Sequence, residues 1–191
     1  MDALGGCDSP WGRMDSALQG PSVEIAVAER GERPVLANLM QLYIHDFSEF
    51  WRDRPDGELE ADGRFADYPF LDAYWDEADR TPLLLRVDGR LAGFVLINGI
   101  SHSGLPVDRN VAEFFVVRKH RRGGVGAAAA RAIFSLYPGQ WEAAVARRNL
   151  AALPFWRKAA GGHPFVAGLE ELDRAGPAWD GPIVRFRITK P

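Results

Sequence analysis

A short basic and glycine-rich segment of this sequence has the residue types of a phosphate-binding turn. The cluster Arg118-Lys119-His120-Arg121-Arg122 follows an apolar run and leads directly into Gly123, Gly124 and Gly126. An alanine-rich segment with helical spacing comes next, so the glycines should form the turn between a strand and a helix. The first N–H groups of a helix have no partner within it, and the helix N-terminus carries a partial positive charge. The segment therefore predicts a site where main-chain N–H groups bind an anion such as a phosphate.

One carboxylate stands inside the apolar run that precedes this turn. Glu113 has only apolar neighbours in the stretch from Val111 to Val117. Burial in apolar surroundings raises the pKa of a carboxyl group, which suits a general base or a water relay near neutral pH. The alternative is a structural carboxylate at a strand end, paired with an arginine such as Arg118. The residues themselves leave both interpretations open.

Composition and charge limit the classes of protein to consider. The chain has 191 residues, 47% of them hydrophobic, which is enough for one domain with its own core. The formal net charge of −3 argues against a general nucleic-acid-binding domain, which is usually basic. No apolar run approaches the ~18 residues of a membrane-spanning helix, and residues 1–20 lack the pattern of a signal peptide. We therefore expect a cytoplasmic protein that binds neither nucleic acid nor a membrane.

Metal and disulfide chemistry are not indicated by the sequence. Cys7 is the single cysteine and lies near the N-terminus, so we expect neither a disulfide nor a covalent cysteine nucleophile. The histidines have no spacing typical of metal ligands; they are His45, His102, His120 and His163. No metal site is predicted.

Hydrophobic periodicity and breaker residues predict the elements that must position these groups. Residues 1–21 should form a disordered arm and residues 22–191 a single domain. Asp88-Gly89 predicts a type I′ hairpin turn, and Asn149 is the expected N-cap of the last helix. The predicted strands are 23–28, 83–87, 91–97, 111–117, 141–146, 164–170 and 182–188, and the predicted helices are 32–50, 70–75, 124–137 and 149–160. Their order predicts an α/β domain.

Three motifs in this order resemble the GNAT superfamily of acyl-CoA-dependent N-acyltransferases. The first is R-x-x-G-x-G at 121–126, the second is the FFV strand at 114–116, and the third is N-x-x-A-x-x-F-W at 149–156. The resemblance covers about residues 22–190 and is greatest to the "predicted acetyltransferase" branch. It implies a mixed, mostly antiparallel sheet of six to seven strands, with helices on both faces and strands splayed at the cofactor cleft.

The resemblance also implies acetyl-CoA as co-substrate. Main-chain N–H groups from Arg122 to Ala127 would bind the diphosphate, and main-chain groups of the FFV strand would pair with the pantetheine amides. The implied cofactor-binding residues are Phe114, Phe115, Val116, Arg121, Arg122, Gly123, Gly124, Val125, Gly126, Ala127, Asn149 and Trp156. The run 124–129 also fits the dinucleotide fingerprint G-x-G-x-x-A, but the predicted antiparallel hairpin and the basic loop before it disfavour that alternative.

The expected catalytic residues are Glu113 and Trp156. Many GNAT enzymes place a tyrosine, acting as a general acid, at the position matched by Trp156. An indole N–H can donate a hydrogen bond but does not titrate in the usual range, so Trp156 serves either as a hydrogen-bond donor or as a wall of the cofactor channel. The first two helices and their loop should bind the acceptor, through His45, Asp46, Trp51 and Tyr74.

The function expected from these features is acetyl transfer from acetyl-CoA to an amine, by direct attack in a ternary complex. The acceptor would be a small molecule or a peptide, and the oligomeric state is open between a monomer and a homodimer. The alternative is a catalytically silent acyl-CoA-binding or regulatory module of the same fold, and Trp156 is the feature that favours it.

Overall fold

A seven-stranded sheet organises the chain, as seen in a computed structural model that describes residues 22–52, 55 and 57–189. The predicted arm at 1–21 lies outside the described residues. The strands are β1 (Val23–Val27), β2 (Thr81–Val87), β3 (Arg90–Asn98), β4 (Arg109–Val116), β5 (Gly139–Ala144), β6 (Val166–Ala175) and β7 (Asp180–Ile188). The helices are α1 (Arg33–Ser48), α2 (Ala73–Asp76), α3 (Val125–Leu136) and α4 (Leu153–Gly161). Short 3-10 turns occur at Arg30–Glu32, Arg118–His120 and Arg147–Ala152.

The strand order is β1-β2-β3-β4-β5-β7-β6, and every neighbouring pair is antiparallel except β4 and β5. The prediction of a mixed, mostly antiparallel sheet is therefore confirmed. The β2–β3 turn has positive φ at both Asp88 (50°) and Gly89 (73°), as a type I′ turn requires.

The parallel strands β4 and β5 pair at only two positions, Arg109 with Trp141 and Asn110 with Glu142. Beyond Asn110 the strands separate, and a bulge lies in β4 where Leu96 pairs with Glu113 but Ile97 pairs with Val111. A bulge bends its strand and increases the local twist, so it promotes the separation. In the part of the chain that the structure describes, the second half of β4 is thereby left without a paired strand on its β5 side.

Helices cover both faces of the sheet. On one face α3 and α4 bury a cluster that includes Ile133, Phe134, Trp141 and Phe186. On the other face α1 and α2 pack their apolar stripe, including Leu36 and Met40, on β2 and β3. Ala112 and Phe115 belong to the α1 side, whereas Val111 and Phe114 belong to the α3 side, because the bulge shifts the alternation of the strand.

The predicted N-cap at Asn149 is wrong. Asn149 lies within the 3-10 turn with φ −119° and ψ 43°, and the helix after it begins only at Leu153 with Ala152 as its N-cap. Pro154 occupies the first turn of α4, where its fixed φ fits and its missing N–H costs nothing. The helix therefore begins four residues later than its predicted start at 149.

Candidate active site

The β4–α3 turn presents a row of unbonded main-chain donors. Gly124 is the N-cap of α3 with φ 83°, Arg122 also has a positive φ of 65°, and no side chain caps the helix. Ala128 N–H donates to Gly124 O at 3.0 Å, but the N–H groups of 122–127 donate to no acceptor within the described residues. These amides, with the positive end of the helix, form a concave donor surface suited to an anion.

Aromatic side chains lie beside the first turn of α3. The rings of Phe114, Phe155 and Trp156 contact one another, with centroids 4.9–5.6 Å apart. A Cβ at Gly126 would lie 3.3 Å from Phe155 and 3.7 Å from Phe114, so glycine lets the helix backbone approach these rings closely. Trp156 is only 7% exposed, and its indole N–H donates to no acceptor in the described part of the chain.

The open side of β4 begins where β5 departs. Phe114, Phe115 and Val116 pair with Val95, Phe94 and Gly93 on β3, whereas their β5 side has no partner strand among the described residues. The cleft between the two strands ends at the β4–α3 turn. An extended chain with amide groups could therefore pair with this edge as a strand would.

Two arginines of the basic cluster are paired with a carboxylate on α1. Arg118 Nε donates to Asp46 Oδ1 at 2.9 Å, and the Arg121 guanidinium binds Asp46 Oδ2. Arg121 also donates to Val116 O at 2.6 Å and lies over the Phe115 ring. Partial burial would raise the pKa of Asp46, but the two guanidinium groups hold it below its usual range. The sequence-predicted residues Asp46 and Arg121 are thus joined in one ion-pair cluster.

Glu113 extends from the bulge of β4 toward the α1 face. The Tyr43 O–H of α1 donates to Glu113 Oε2, and the Tyr68 hydroxyl from the α1–α2 segment faces the same carboxyl group. Burial raises the Glu113 pKa to about 7, although the two hydroxyls oppose part of that rise. Arg118 is occupied by Asp46, so the partner of Glu113 is a tyrosine and not an arginine.

Tyr43 is the partner of Glu113 that sequence reasoning missed. Tyr43 lies in the same helical stripe as Leu36, Leu39 and Met40, all of them buried, so its spacing is that of a core residue. Its hydroxyl gave no signal of a role, because its partner lies 70 residues away in the sequence. Tyr74 from α2 is 2% exposed, and its hydroxyl has no hydrogen-bond partner in the described structure.

The other predicted acceptor-site residues lie near the C-terminal end of α1. The His45 side chain is 69% exposed and its Nδ1 lies 3.8 Å from Asp46 Oδ1. Trp51 is partly buried and its ring centroid lies 5.8 Å from that of Phe47. His45, Asp46 and Trp51 therefore lie in one region, whereas Tyr74 is a buried residue of α2 with 2% exposure.

A second buried carboxylate organises the loop between β3 and β4. Glu142 on β5 is fully buried and accepts hydrogen bonds from the Arg185 guanidinium of β7, the Ser103 hydroxyl and the main-chain N–H of His102 at 2.9 Å. This loop carries the His102 ring against Trp179, with centroids 4.4 Å apart. Burial lowers the pKa of His102. The network therefore fixes the loop at the edge of the β4–β5 cleft.

Within the described residues, no group of three or more His, Cys, Asp or Glu side chains is arranged to hold a metal ion. The helices that the structure describes are also too short or too polar to cross a membrane.

Comparison with known proteins agrees with this architecture. The model of the acetyltransferase (GNAT) family matches residues 36–161, and the chain belongs to this family. A comparison with curated protein sequences gave no match. Among solved structures, the chain is similar to a GNAT-family acetyltransferase from Streptococcus agalactiae, with a TM-score of 0.61 and 12% identity over 88% of this chain and 96% of that one.

Two further solved structures with known acceptors share the fold. An aminoglycoside acetyltransferase in complex with coenzyme A and kanamycin has a TM-score of 0.55 and 16% identity, over 86% of this chain and 93% of that one. A spermidine N-acetyltransferase, a chimera from Vibrio cholerae and hSSAT, has a TM-score of 0.52 and 14% identity, over 87% of this chain and 94% of that one. At these identities the likeness concerns the fold.

Proposed function

We propose that this protein transfers the acetyl group of acetyl-CoA to an amine acceptor by direct attack in a ternary complex. The observation that carries the proposal is the continuity of the unbonded N–H groups at 122–127 with the open edge of β4. A diphosphate bound at these amides would direct the attached pantetheine arm along Phe114–Val116. The coenzyme A complex of the aminoglycoside acetyltransferase relative supports this choice of co-substrate.

The chemical step needs a neutral amine, a polarised thioester carbonyl and a stabilised leaving thiolate. Glu113 takes a proton from the acceptor ammonium, directly or through a water molecule, and the amine nitrogen then forms a bond to the acetyl carbon. As the C–S bond breaks, the attacking nitrogen loses its second proton to solvent and becomes the amide nitrogen, while the thiolate takes up a proton from solvent. Glu113 then releases its own proton to solvent. The Trp156 N–H can donate a hydrogen bond to the sulfur but keeps its own proton.

The acceptor would enter from the α1 side of the sheet, because Glu113 points to that face. His45, Asp46 and Trp51 are the residues of α1 and its following loop that we assign to acceptor binding, whereas Tyr74 is too deeply buried to contact the acceptor. Asp46 would act mainly by holding Arg118 and Arg121, since its carboxylate is already paired with them. Kanamycin and spermidine, named for two relatives of the same fold, suggest a small polyamine-like or amino-sugar acceptor.

Steady-state release of the free thiol from acetyl-CoA, measured with a panel of amines, tests the proposal. We expect amine-stimulated release by the wild type. Glu113→Gln should lower kcat by about 10²–10⁴-fold, the range for loss of a general base. Its Kd for CoA, measured by calorimetry, should stay close to that of the wild type. Unchanged turnover in Glu113→Gln would contradict the assignment of the base.

A catalytically silent acyl-CoA-binding module is the second candidate. Trp156 favours it, because the residue at this position cannot act as an ordinary general acid. This candidate predicts tight CoA binding with no amine-stimulated release for any member of the panel. Protection of the fold against heat by NAD(P) and not by CoA would reject both candidates in favour of a dinucleotide enzyme.

A further inference from the structure

Three tyrosines from three different segments surround the Glu113 side chain. Tyr43 comes from α1, Tyr68 from the segment between the helices, and Tyr74 from α2. The protein has four tyrosines in all, and only Tyr137 lies elsewhere. The Glu113 carboxyl group is therefore enclosed on its α1 side by phenolic groups.

The contacts of the three tyrosines with Glu113 are not equivalent. Tyr43 donates its O–H to Glu113 Oε2, and the Tyr68 hydroxyl also acts as a hydrogen-bond donor to the same carboxyl group. Tyr68 faces the carboxyl group from the α1–α2 segment, and Tyr74 interacts with it through charge, its own hydroxyl being buried and unpaired. Tyr43 is itself held by aromatic contacts with Phe47, Phe94 and Phe115, at centroid distances of 4.5–6.0 Å. Its hydroxyl is thus fixed in direction.

We propose that Tyr43 is a positioning residue, which binds one carboxylate oxygen of Glu113 and so fixes the carboxylate in the orientation that accepts the proton of the acceptor amine. The inference rests on the proposed function, because it assigns Glu113 the role of base. The bulge of β4 sets the backbone at Glu113, and the Tyr43 ring sets the rotamer of its side chain. A carboxylate held in this way needs no reorganisation when the amine arrives.

Tyr43 also settles which protonation state of Glu113 is stabilised. Its O–H can donate only to an oxygen lone pair, and the bond is stronger to the ionised carboxylate than to the neutral acid. The groups that face Glu113 are the three phenols, and the α1 carboxylate Asp46 is turned to the basic cluster instead. Removing the Tyr43 hydroxyl should therefore favour protonation of Glu113.

Tyr43→Phe, with Tyr137→Phe as its matched control, tests the proposal. Both variants lose one phenolic oxygen, but Tyr137 is the C-cap of α3 and lies over Arg109, away from Glu113. In Tyr43→Phe, the fall of kcat/KM at low pH should move to higher pH by about one pH unit. The decrease in kcat should be larger than the change in the KM for acetyl-CoA. Tyr137→Phe should keep the wild-type profile.

A ¹³C NMR titration of glutamate carboxyl groups gives a readout that does not depend on turnover. The Glu113 signal is assigned by its absence in Glu113→Gln, and its midpoint should rise in Tyr43→Phe and not in Tyr137→Phe. An unchanged midpoint and pH profile in Tyr43→Phe would overturn the positioning role, even with Glu113 confirmed as the base. If the Glu113 midpoint rises in Tyr43→Phe but the wild type shows no amine-stimulated thiol release, the Tyr43–Glu113 contact is confirmed and the proposed function is rejected.

Discussion

Among single residues, catalysis depends most on a carboxyl group that can gain and lose a proton near neutral pH. Glu113 faces the hydroxyl groups of Tyr43 and Tyr68, and burial is the largest influence on its pKa. A carboxylate with an ordinary pKa is fully ionised at pH 7 but is a weak base. A pKa of about 7 gives a stronger base, about half of which is ionised at pH 7.

This pKa predicts the pH dependence of catalysis. Below about pH 7 Glu113 is protonated and cannot accept a proton, so kcat/KM should fall as the pH decreases through that region. This fall in kcat/KM reports the titration of Glu113 if it occurs at the same pH for two acceptors whose amine pKa values differ. Profiles of kcat/KM against pH, measured with both amines, check this. A fall whose midpoint changes with the acceptor would assign the titration to the amine instead.

Sequence reasoning could identify Glu113 but not its partners. A lone acid in an apolar strand is visible in any sequence, whereas Tyr43 and Glu113 are 70 residues apart and belong to different elements. Along the sequence, Arg118 is much nearer to Glu113 than Tyr43 is, and it was the partner that the sequence suggested. In the folded protein that arginine pairs with Asp46 across 72 residues, so local spacing gave no guide to either pair.

At the scale of elements, the cleft depends on how β4 ends and how α3 begins. The pairing of β4 with β5 stops after two residue pairs, and the backbone of the following turn adopts positive φ at Arg122 and Gly124. A residue with a Cβ is strained in that region, and glycine is not. Gly124 therefore sets the direction in which the first amides of α3 point.

Gly124→Ala tests the geometry of this turn, with Gly123→Ala as the comparison. Both add one methyl group into open space, but only Gly124 has a positive φ, 83°. We expect Gly124→Ala to be less stable than Gly123→Ala by about 1 kcal/mol, and to bind CoA more weakly. Chemical denaturation and calorimetry measure the two effects. Equal stability of the two variants would contradict the role assigned to the left-handed turn.

The elements were largely predictable because their signals are local. The hairpin at Asp88-Gly89 and the turn before α3 both need positive φ, and the residue types at these positions already indicate it. The start of α4 was misplaced because Asn149 is a strong N-cap type, although Pro154 marked the true first turn. The separation of β4 from β5 follows from a bulge in the β3–β4 register, which no stretch of sequence shows on its own.

At the scale of the whole molecule, a buried ion pair joins distant parts of the sheet. Arg185 of β7 binds Glu142 of β5, Glu170 of β6 and the carbonyl oxygen of Pro106 in the β3–β4 loop. Burial alone would raise the pKa of Glu142, but hydrogen bonds from Ser103, the loop backbone and Arg185 hold it below its usual range. The network therefore links β5, β6 and β7 to the β3–β4 loop.

Arg185→Met should therefore destabilise the protein strongly. It leaves the Glu142 charge buried without its cation, a change that typically costs about 3–5 kcal/mol of unfolding free energy. Arg187→Met, two residues further along β7 at an exposed position, is the matched control and should have little effect. Denaturant unfolding measures both, and a loss in Arg185→Met no larger than the control's would show that the pair contributes nothing to stability.

The Glu142 pKa also predicts acid sensitivity. Because it is lowered in the folded state, its stabilising contribution is present above the ordinary carboxyl pKa of 4.5 and is lost as the pH falls through the lower, folded value. Unfolding free energies of the wild type should thus decline below about pH 4.5. Measurements in a series of acidic buffers check this, and a flat profile there would contradict it.

The central claim is that main-chain N–H groups of 122–127 hold the diphosphate of acetyl-CoA. A crystal structure of the protein with CoA tests it most directly. We expect phosphate oxygens to lie within hydrogen-bonding distance of those amides, and the pantetheine arm to lie along the open edge of Phe114–Val116. A diphosphate bound anywhere else, with these amides left in solvent, would contradict the account.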